Sequence, residues 1–450
     1  MFYRVVFCLI FIAIAGCVQN NQSSNITFAD DIAPIIHKNC SKCHIDGEAG
    51  PFNLITYDDI ASKSKLITYV VENRIMPPWP ADPHYTSFAN QTVLTDHEIT
   101  LIKKWVETGM KPGDTANMPA YQKSNSLQRN KPDLVVKLPK PIPIKGNNND
   151  LFLVVKVPYE IPNDTFIRAI EFVPGNKKLV HHMNAHLVQF NPAKKKNVHK
   201  NHYPYWVNQD YANSQTIHKK LDLLHDDGTY APMTPSVCNY LPGSMFTNYP
   251  EGIGGYKLSK KGALYLNDLH FGPSALDEYD SSYFKFYFSD KPPVRPVSEF
   301  QIGTLGIAPV EPELIVPANT IKTFHIKFTV PQDISILTIV PHMHLIGKKY
   351  WAYAIKPSGD TVRIIRINNW DFRWQYFYQP KSPIYIPRGS TIFVEGTYDN
   401  TAENPNNPFN PPREIRDRNG SMKTTDEMFQ LILNYMPYKK GDEKIDLSSD

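Results

Sequence analysis

The stretch Ile336-Leu337-Thr338-Ile339-Val340, running directly into Pro341-His342-Met343-His344, decides how this chain is read. Aliphatic and β-branched residues in an unbroken short run mark a buried strand, and residues two apart on a strand point to the same face. His342 and His344 therefore project side by side. Imidazole suits copper, zinc, iron or nickel, so the pair is half of a metal site awaiting a third ligand. Taken alone, it is equally compatible with buried histidines that only satisfy backbone partners.

Working outward, three further stretches keep company with this one: Val180-His181-His182-Met183-Asn184-Ala185-His186, then Asn267-Asp268-Leu269-His270, then Asp426-Glu427-Met428-Phe429. In this order they resemble the copper type II, ascorbate-dependent monooxygenases, the family of peptidylglycine α-hydroxylating and dopamine β-monooxygenases. The resemblance covers about residues 133 to 440 and takes in Tyr398-Asp399-Asn400 with Asn404-Pro405. It implies two copper ions, one held by His181, His182 and His270, the other by His342, His344 and Met428. It also implies that the Met428-containing copper binds O2 and hydroxylates, facing the first across a wet cleft between two β-sandwiches.

Length and composition leave room for this. The 450 residues suffice for about three domains, and 41% hydrophobic content is that of packed cores. A formal charge of +4 is nearly balanced, and the basic run Lys194-Lys195-Lys196 reads as solvated surface, so nucleic acid is not an expected partner. Short runs rich in Val, Ile, Thr and Tyr, with 39 prolines, read as mostly β. Of five cysteines, Cys8 and Cys17 belong to a leader, Cys40 and Cys43 to one motif, and Cys238 is left over as a buried, inert thiol. No disulfide framework is available.

The chain begins with Arg4 and an apolar run from Val5 to Ala15, too short to span a hydrocarbon core of ~30 Å, and is read as a signal peptide over residues 1–16. Ala15-Gly16-Cys17 resembles a bacterial lipobox, which implies a lipidated Cys17, a membrane anchor, and a place at the bacterial cell envelope, facing the periplasm or on the surface. Residues 26–112 read as a small all-α, cytochrome c-like domain, with helices over 29–39 and 57–73 and another opened by the capping box of Thr95 and Glu98. Cys40-Ser41-Lys42-Cys43-His44 is the signature of covalent haem c attachment, two thiols for the vinyl groups and an imidazole for the iron. Met76, before Pro77-Pro78, is the expected sixth ligand, with Met110 and His84 as alternatives. Polar, aperiodic residues 113–132 form a linker that does not itself fix the orientation of what it joins.

Two all-β sandwiches follow, over 133–297 and 298–450, of the jelly-roll kind the resemblance implies. Expected strands in the first include 134–138, 151–157, 166–173, 179–190, 264–270 and 283–288; in the second, 323–329, 335–340, 350–355, 363–367, 392–397 and 429–435. Adjacent His181 and His182 would face opposite sides of a regular strand, so joint ligation demands a bulge or a strand end. His186 lies too far along to join them. His199, His202, His218 and His225 fall in an irregular insertion and read as surface residues. Met428, by itself a core methionine, gains its role only from the resemblance.

The chemistry expected is hydroxylation of a C–H bond in a small organic or peptide-like substrate with O2. Electrons would come from a respiratory cytochrome or quinol chain, or an ascorbate-like reductant, through the fused haem. Where the peptide-amidating enzymes of the family grip a substrate carboxylate, this sequence has Val340, Gln430 and Ile432, so an apolar or amine substrate is as plausible as a peptide. The rival reading is a non-catalytic copper and haem protein for electron transfer or copper handling. A sandwich module for binding surface polymers would leave the histidines unexplained.

Overall fold

The computed structural model describes residues 25–89, 91–122, 131–200, 204–209, 214–243, 249, 253–418, 421 and 423–448. The leader, Cys17 and His202 lie outside them. Among the described residues no helix is long and apolar enough to cross a membrane.

The chain is mostly β, in several antiparallel sheets, with short helices near its N-terminus. Helices Ala33–Asn39, Tyr57–Ser62, Ser64–Glu72 and Asp96–Glu107 enclose Phe28, Ile36, Ile60, Ile67, Ile102 and Trp105. The capping box at Thr95 and Glu98 forms as its sequence requires, and Thr56 with Asp59 makes a second. The helix expected over 57–73 is broken at Lys63 into two.

The first sandwich sets a five-stranded sheet, ordered Trp206–Asn208, Leu151–Glu160, Lys261–Phe271, Val180–Phe190 and Met233–Tyr240, against a four-stranded one. Leu153, Val155, Leu187, Leu264, Phe284 and Phe286 fill the space between. The second pairs Ser298–Gly303, Phe429–Pro437, Ile334–Met343 and Ile384–Ile386 in one sheet, facing a five-stranded sheet centred on Thr391–Asp399. Strand Ile334–Met343 is buried on both faces, which explains its unbroken apolar run. Ile336, Ile339 and Met343 enter its own core. Leu337, brought round by a bulge between Ile336 and Thr338, enters the core of the first sandwich with Met436 and Leu447.

Two expectations are corrected. Lys195 is fully buried rather than solvated, because Asp222 Oδ1 at 2.7 Å and the Leu224 carbonyl at 2.8 Å receive its ammonium. His225 is buried too, its Nε2 accepting the Asn191 N–H and its Nδ1 paired with Thr229 Oγ1. Both anchor the insertion, with its helix Ser214–Lys220, onto the outer face of the five-stranded sheet.

A segment ahead of the expected linker ties the helices to the second sandwich. Residues 77–89 leave the helices and dock on the second sandwich. Asp82 accepts from Arg366 Nε and Nη2 at 3.0 and 2.7 Å, its own N–H donates to the Arg366 carbonyl, and Trp79 packs among Phe88, Tyr376 and Tyr378.

Candidate metal centres and an adjoining cavity

In the first sandwich the strands Val180–Phe190 and Lys261–Phe271 run side by side, with His182 directly opposite His270. The register slips between Val180 and His182, and this bulge makes His181 the extra residue, turned to the same side as His182. The three side chains form a group whose ligand atoms lie within 4.8 Å of one another. His182 Nδ1 is 3.4 Å from His181 Nδ1 and 3.3 Å from His270 Nδ1.

Two carboxylates decide which nitrogen faces inward. His182 Nε2 lies 2.8 Å from Asp268 Oδ2, and His270 Nε2 lies 2.7 Å from Asp150 Oδ1. Burial works against the charge on Asp268, yet His182 and His270 beside it hold its carboxyl down at about 2. The His270 hydrogen bond likewise depresses Asp150. An ionised carboxylate only accepts, so each Nε2 carries the proton and each Nδ1 keeps its lone pair. Lone pairs 3.3 Å apart repel one another unless a cation lies between them, and a cation is what this donor set fits. Phe152 stacks on His270 at 4.1 Å and fixes its plane. Burial, then the neighbouring imidazoles, pushes His181 down to about 3, which keeps it neutral and available as a ligand.

The second centre uses the opposite nitrogen. His342 Nδ1 lies 2.5 Å from Gln375 Oε1, whose amide is oriented by its own Nε2 donating to the Phe372 carbonyl. His344 Nδ1 donates to the Asp426 carbonyl at 3.0 Å. Both Nε2 atoms are therefore the free ones, on rings 5.0 Å apart. Burial lowers both imidazoles, His342 to about 3. His342 pairs across the sheet with Gln430 and Met343 with Phe429, so continuing the register places Met428 beside His344 on the histidine face. Met428 is buried. Glu427, wholly buried, ties the two strands by accepting the N–H groups of His344 at 2.8 Å, Ile346 at 2.9 Å and Met428 at 3.3 Å. His182 and Asp268 of the first group lie near enough to act electrostatically on His342.

Residues 312–410 match the sequence model of the copper type II ascorbate-dependent monooxygenase C-terminal domain. That stretch carries His342, His344 and Gln375 and ends before Met428. No curated protein matches the chain. Similar solved structures include the infectious bursal disease virus Gx strain, at 10% identity over 71% of this chain and 76% of that one, TM-score 0.18. They also include the VP2 subviral particle of that virus, at 9% identity over 72% and 75%, TM-score 0.17. Sulfolobus Turreted Icosahedral Virus matches at 11% identity over 59% and 89%, TM-score 0.17.

A cavity of about 410 Å³, apolar and in the size range of small-molecule and cofactor sites, opens between the helices and both sandwiches. Cys40, Cys43, His44 and Met76 line it, joined by Leu54, Ile67 and Val71 from the helical core. His44 donates from Nδ1 to the Phe52 carbonyl at 3.1 Å, which leaves Nε2 free. Burial pushes the Cys40 thiol up to about 12 and raises that of Cys43, the reverse of what a redox dithiol needs. A Cβ at Gly243, whose φ is +73°, would collide with Cys43 Sγ. Met110 and His84 do not line the cavity; Met110 packs on the helical core.

Of the remaining expected residues, His186 is half-buried with its Nδ1 near the Thr234 carbonyl, apart from the three-histidine group. Cys238 is buried and its thiol is pushed far up by burial. Sequence reasoning assigned no role to Asp150, Asp268, Gln375 or Glu427. Asp268 lies two residues from His270 on one strand, a period-two signal that could have found it; Asp150 and Gln375 offered none.

Proposed function

We propose that the chain is a copper-dependent monooxygenase with two coppers and one covalently bound haem c, built as a cytochrome c-like domain and two jelly-roll sandwiches. Its reaction is hydroxylation of a C–H bond in a small organic or peptide-like substrate with O2. What carries the reading is the convergence of the His181, His182 and His270 imidazoles, with the His182 and His270 Nδ1 lone pairs turned toward each other, beside a His342/His344 pair inside the stretch that matches the copper family.

Copper at these positions would supply one-electron redox chemistry and activation of O2. His181, His182 and His270 hold one ion, with Asp268 and Asp150 keeping the ligand lone pairs inward. His342 and His344 hold the other through Nε2, with the Met428 thioether, a soft donor that favours Cu(I). Glu427 keeps His344 and Met428 in register. Cys40, Cys43, His44 and Met76 on the cavity wall support a haem attached through the two thiols; His44 and Met76 are the residues that would hold its iron, and such a haem would store single electrons from a respiratory cytochrome, a quinol chain or an ascorbate-like reductant. Gln430 spends its amide on the Thr304 carbonyl at 2.8 Å and Val340 is buried. Neither can grip a carboxylate, which favours an apolar or amine substrate. The leader and Cys17 support a lipid-anchored protein at the bacterial cell envelope.

The test is a product search. Purified protein, reductant and a panel of amines, hydrocarbons and peptides are incubated under ¹⁸O2, and products are screened for the mass of one added labelled oxygen. Copper-dependent label in one product is expected. Full copper and haem content with no labelled product across the panel would favour the electron carrier instead.

A further inference from the structure

The loop Trp370–Tyr378 touches all three sites. Trp370 Nε1 donates to the His344 carbonyl at 3.1 Å, and Gln375 accepts from His342. Trp374 lies 6.1 Å from the His181 ring at a tilt of 40°, and both line the cavity that holds Cys40, Cys43 and His44. Tyr376 stacks on Trp374 at 6.3 Å and 15°, lines the same cavity, and donates its hydroxyl to the Pro78 carbonyl at 2.9 Å beside Met76. Trp374 and Tyr376 thus set two aromatic rings on the cavity wall, and Gln375 between them sets its amide against His342 on the side of the second centre.

We propose that Trp374 is the positioning residue that couples the cavity to the His181/His182/His270 centre, its indole closing the gap through which single electrons pass. The inference rests on the reading that haem fills the cavity and copper the centre. Each transfer oxidises one ferrous haem to ferric and reduces one cupric ion to cuprous; an outside one-electron donor re-reduces the haem. A tryptophan serving only as core filler would be expected to be wholly buried, whereas this one is half-buried and spans two sites. With Tyr376 stacked behind it, the ring pair also covers the cavity wall next to Met76.

The experiment uses full-length protein loaded with haem and Cu(II), without O2 or substrate. A laser-flash photoreductant injects one electron into the haem, and the decay of the ferrous absorption band is followed. Trp374→Leu and Trp374→Met should slow that decay by roughly tenfold, with haem content and the Cu(II) electron paramagnetic resonance signal unchanged. Trp374→Phe, which keeps an aromatic ring at the contact, should restore most of the rate. Decay at the wild-type rate in either non-aromatic variant with both metals in place overturns the proposal, because His181 alone would then suffice. Wild-type protein lacking haem or the first copper sinks the functional reading, and this inference with it.

Discussion

The two histidine centres solve one problem by opposite means. In the first, a bulge turns two adjacent histidines to one side, carboxylates accept hydrogen bonds from Nε2 of His182 and His270, and the Nδ1 atoms of these two face inward. In the second, the end of a strand presents histidines two apart, a neutral amide and a carbonyl accept the Nδ1 hydrogen bonds, and the Nε2 atoms stay free beside Met428. A carboxylate behind an imidazole makes it a stronger donor, suited to an ion that must be held in both charge states. A neutral acceptor with a thioether suits the softer, lower charge. The difference teaches that the backing groups, as much as the ligands, set what each centre can do.

Breaking the first centre outright should have the largest effect. His182→Ala removes the middle ligand, and copper content should fall by one equivalent per chain while the His342/His344 centre stays filled, measured by elemental analysis. Asp268→Asn should weaken Cu(II) at the first centre by about 10–100-fold, read by competition with a chromophoric chelator. Gln375→Leu, the matching change at the second centre, should cost less, since it removes a neutral acceptor; equal losses would erase the contrast between the centres.

The smallest effect concerns docking. Asp82 accepts the His84 N–H and bonds to Arg366 and Asn368; burial works against its charge, but these partners hold its carboxyl below the usual range. A depressed folded pKa contributes stability above the unfolded value of about 3.9, lost as pH falls through the folded value. Asp82→Asn should therefore cost about 2 kcal/mol at neutral pH and much less in acid, measured by denaturant unfolding at both. Loosening this contact should disturb the Gln375 loop, and so the second centre, more than the first.

Much of this was legible in the sequence. Alternating apolar runs marked the main strands within a few residues, and the demand for a bulge at His181 followed from two adjacent histidines needing one face. Strands such as Met233–Tyr240 and Ser298–Gly303 escaped because Pro235, Ser236 and Gln301 break the apolar pattern; tertiary pairing makes them strands. Lys195 and His225 were misread because their partners, Asp222 and Asn191, are brought to them only by folding. The same holds for Asp150 and Gln375, which lie 120 and 33 residues from the histidines they orient. The docking of residues 77–89 was invisible for a further reason, since the Asp82–Arg366 ion pair and the packing of Trp79 and Phe88 on Tyr376 and Tyr378 join residues far apart in the chain and leave no local pattern.

The central claim, two coppers in unlike ligand sets, is tested most directly by X-ray absorption at the copper edge on Cu(I)-loaded protein, wild type against Met428→Leu. Leucine conserves volume and should cost less than about 1.5 kcal/mol, so the fold is kept. The account predicts two coppers per wild-type chain and a sulfur contribution from one of them that vanishes in Met428→Leu. Sulfur scattering unchanged by the substitution, or a single copper per chain, would contradict it.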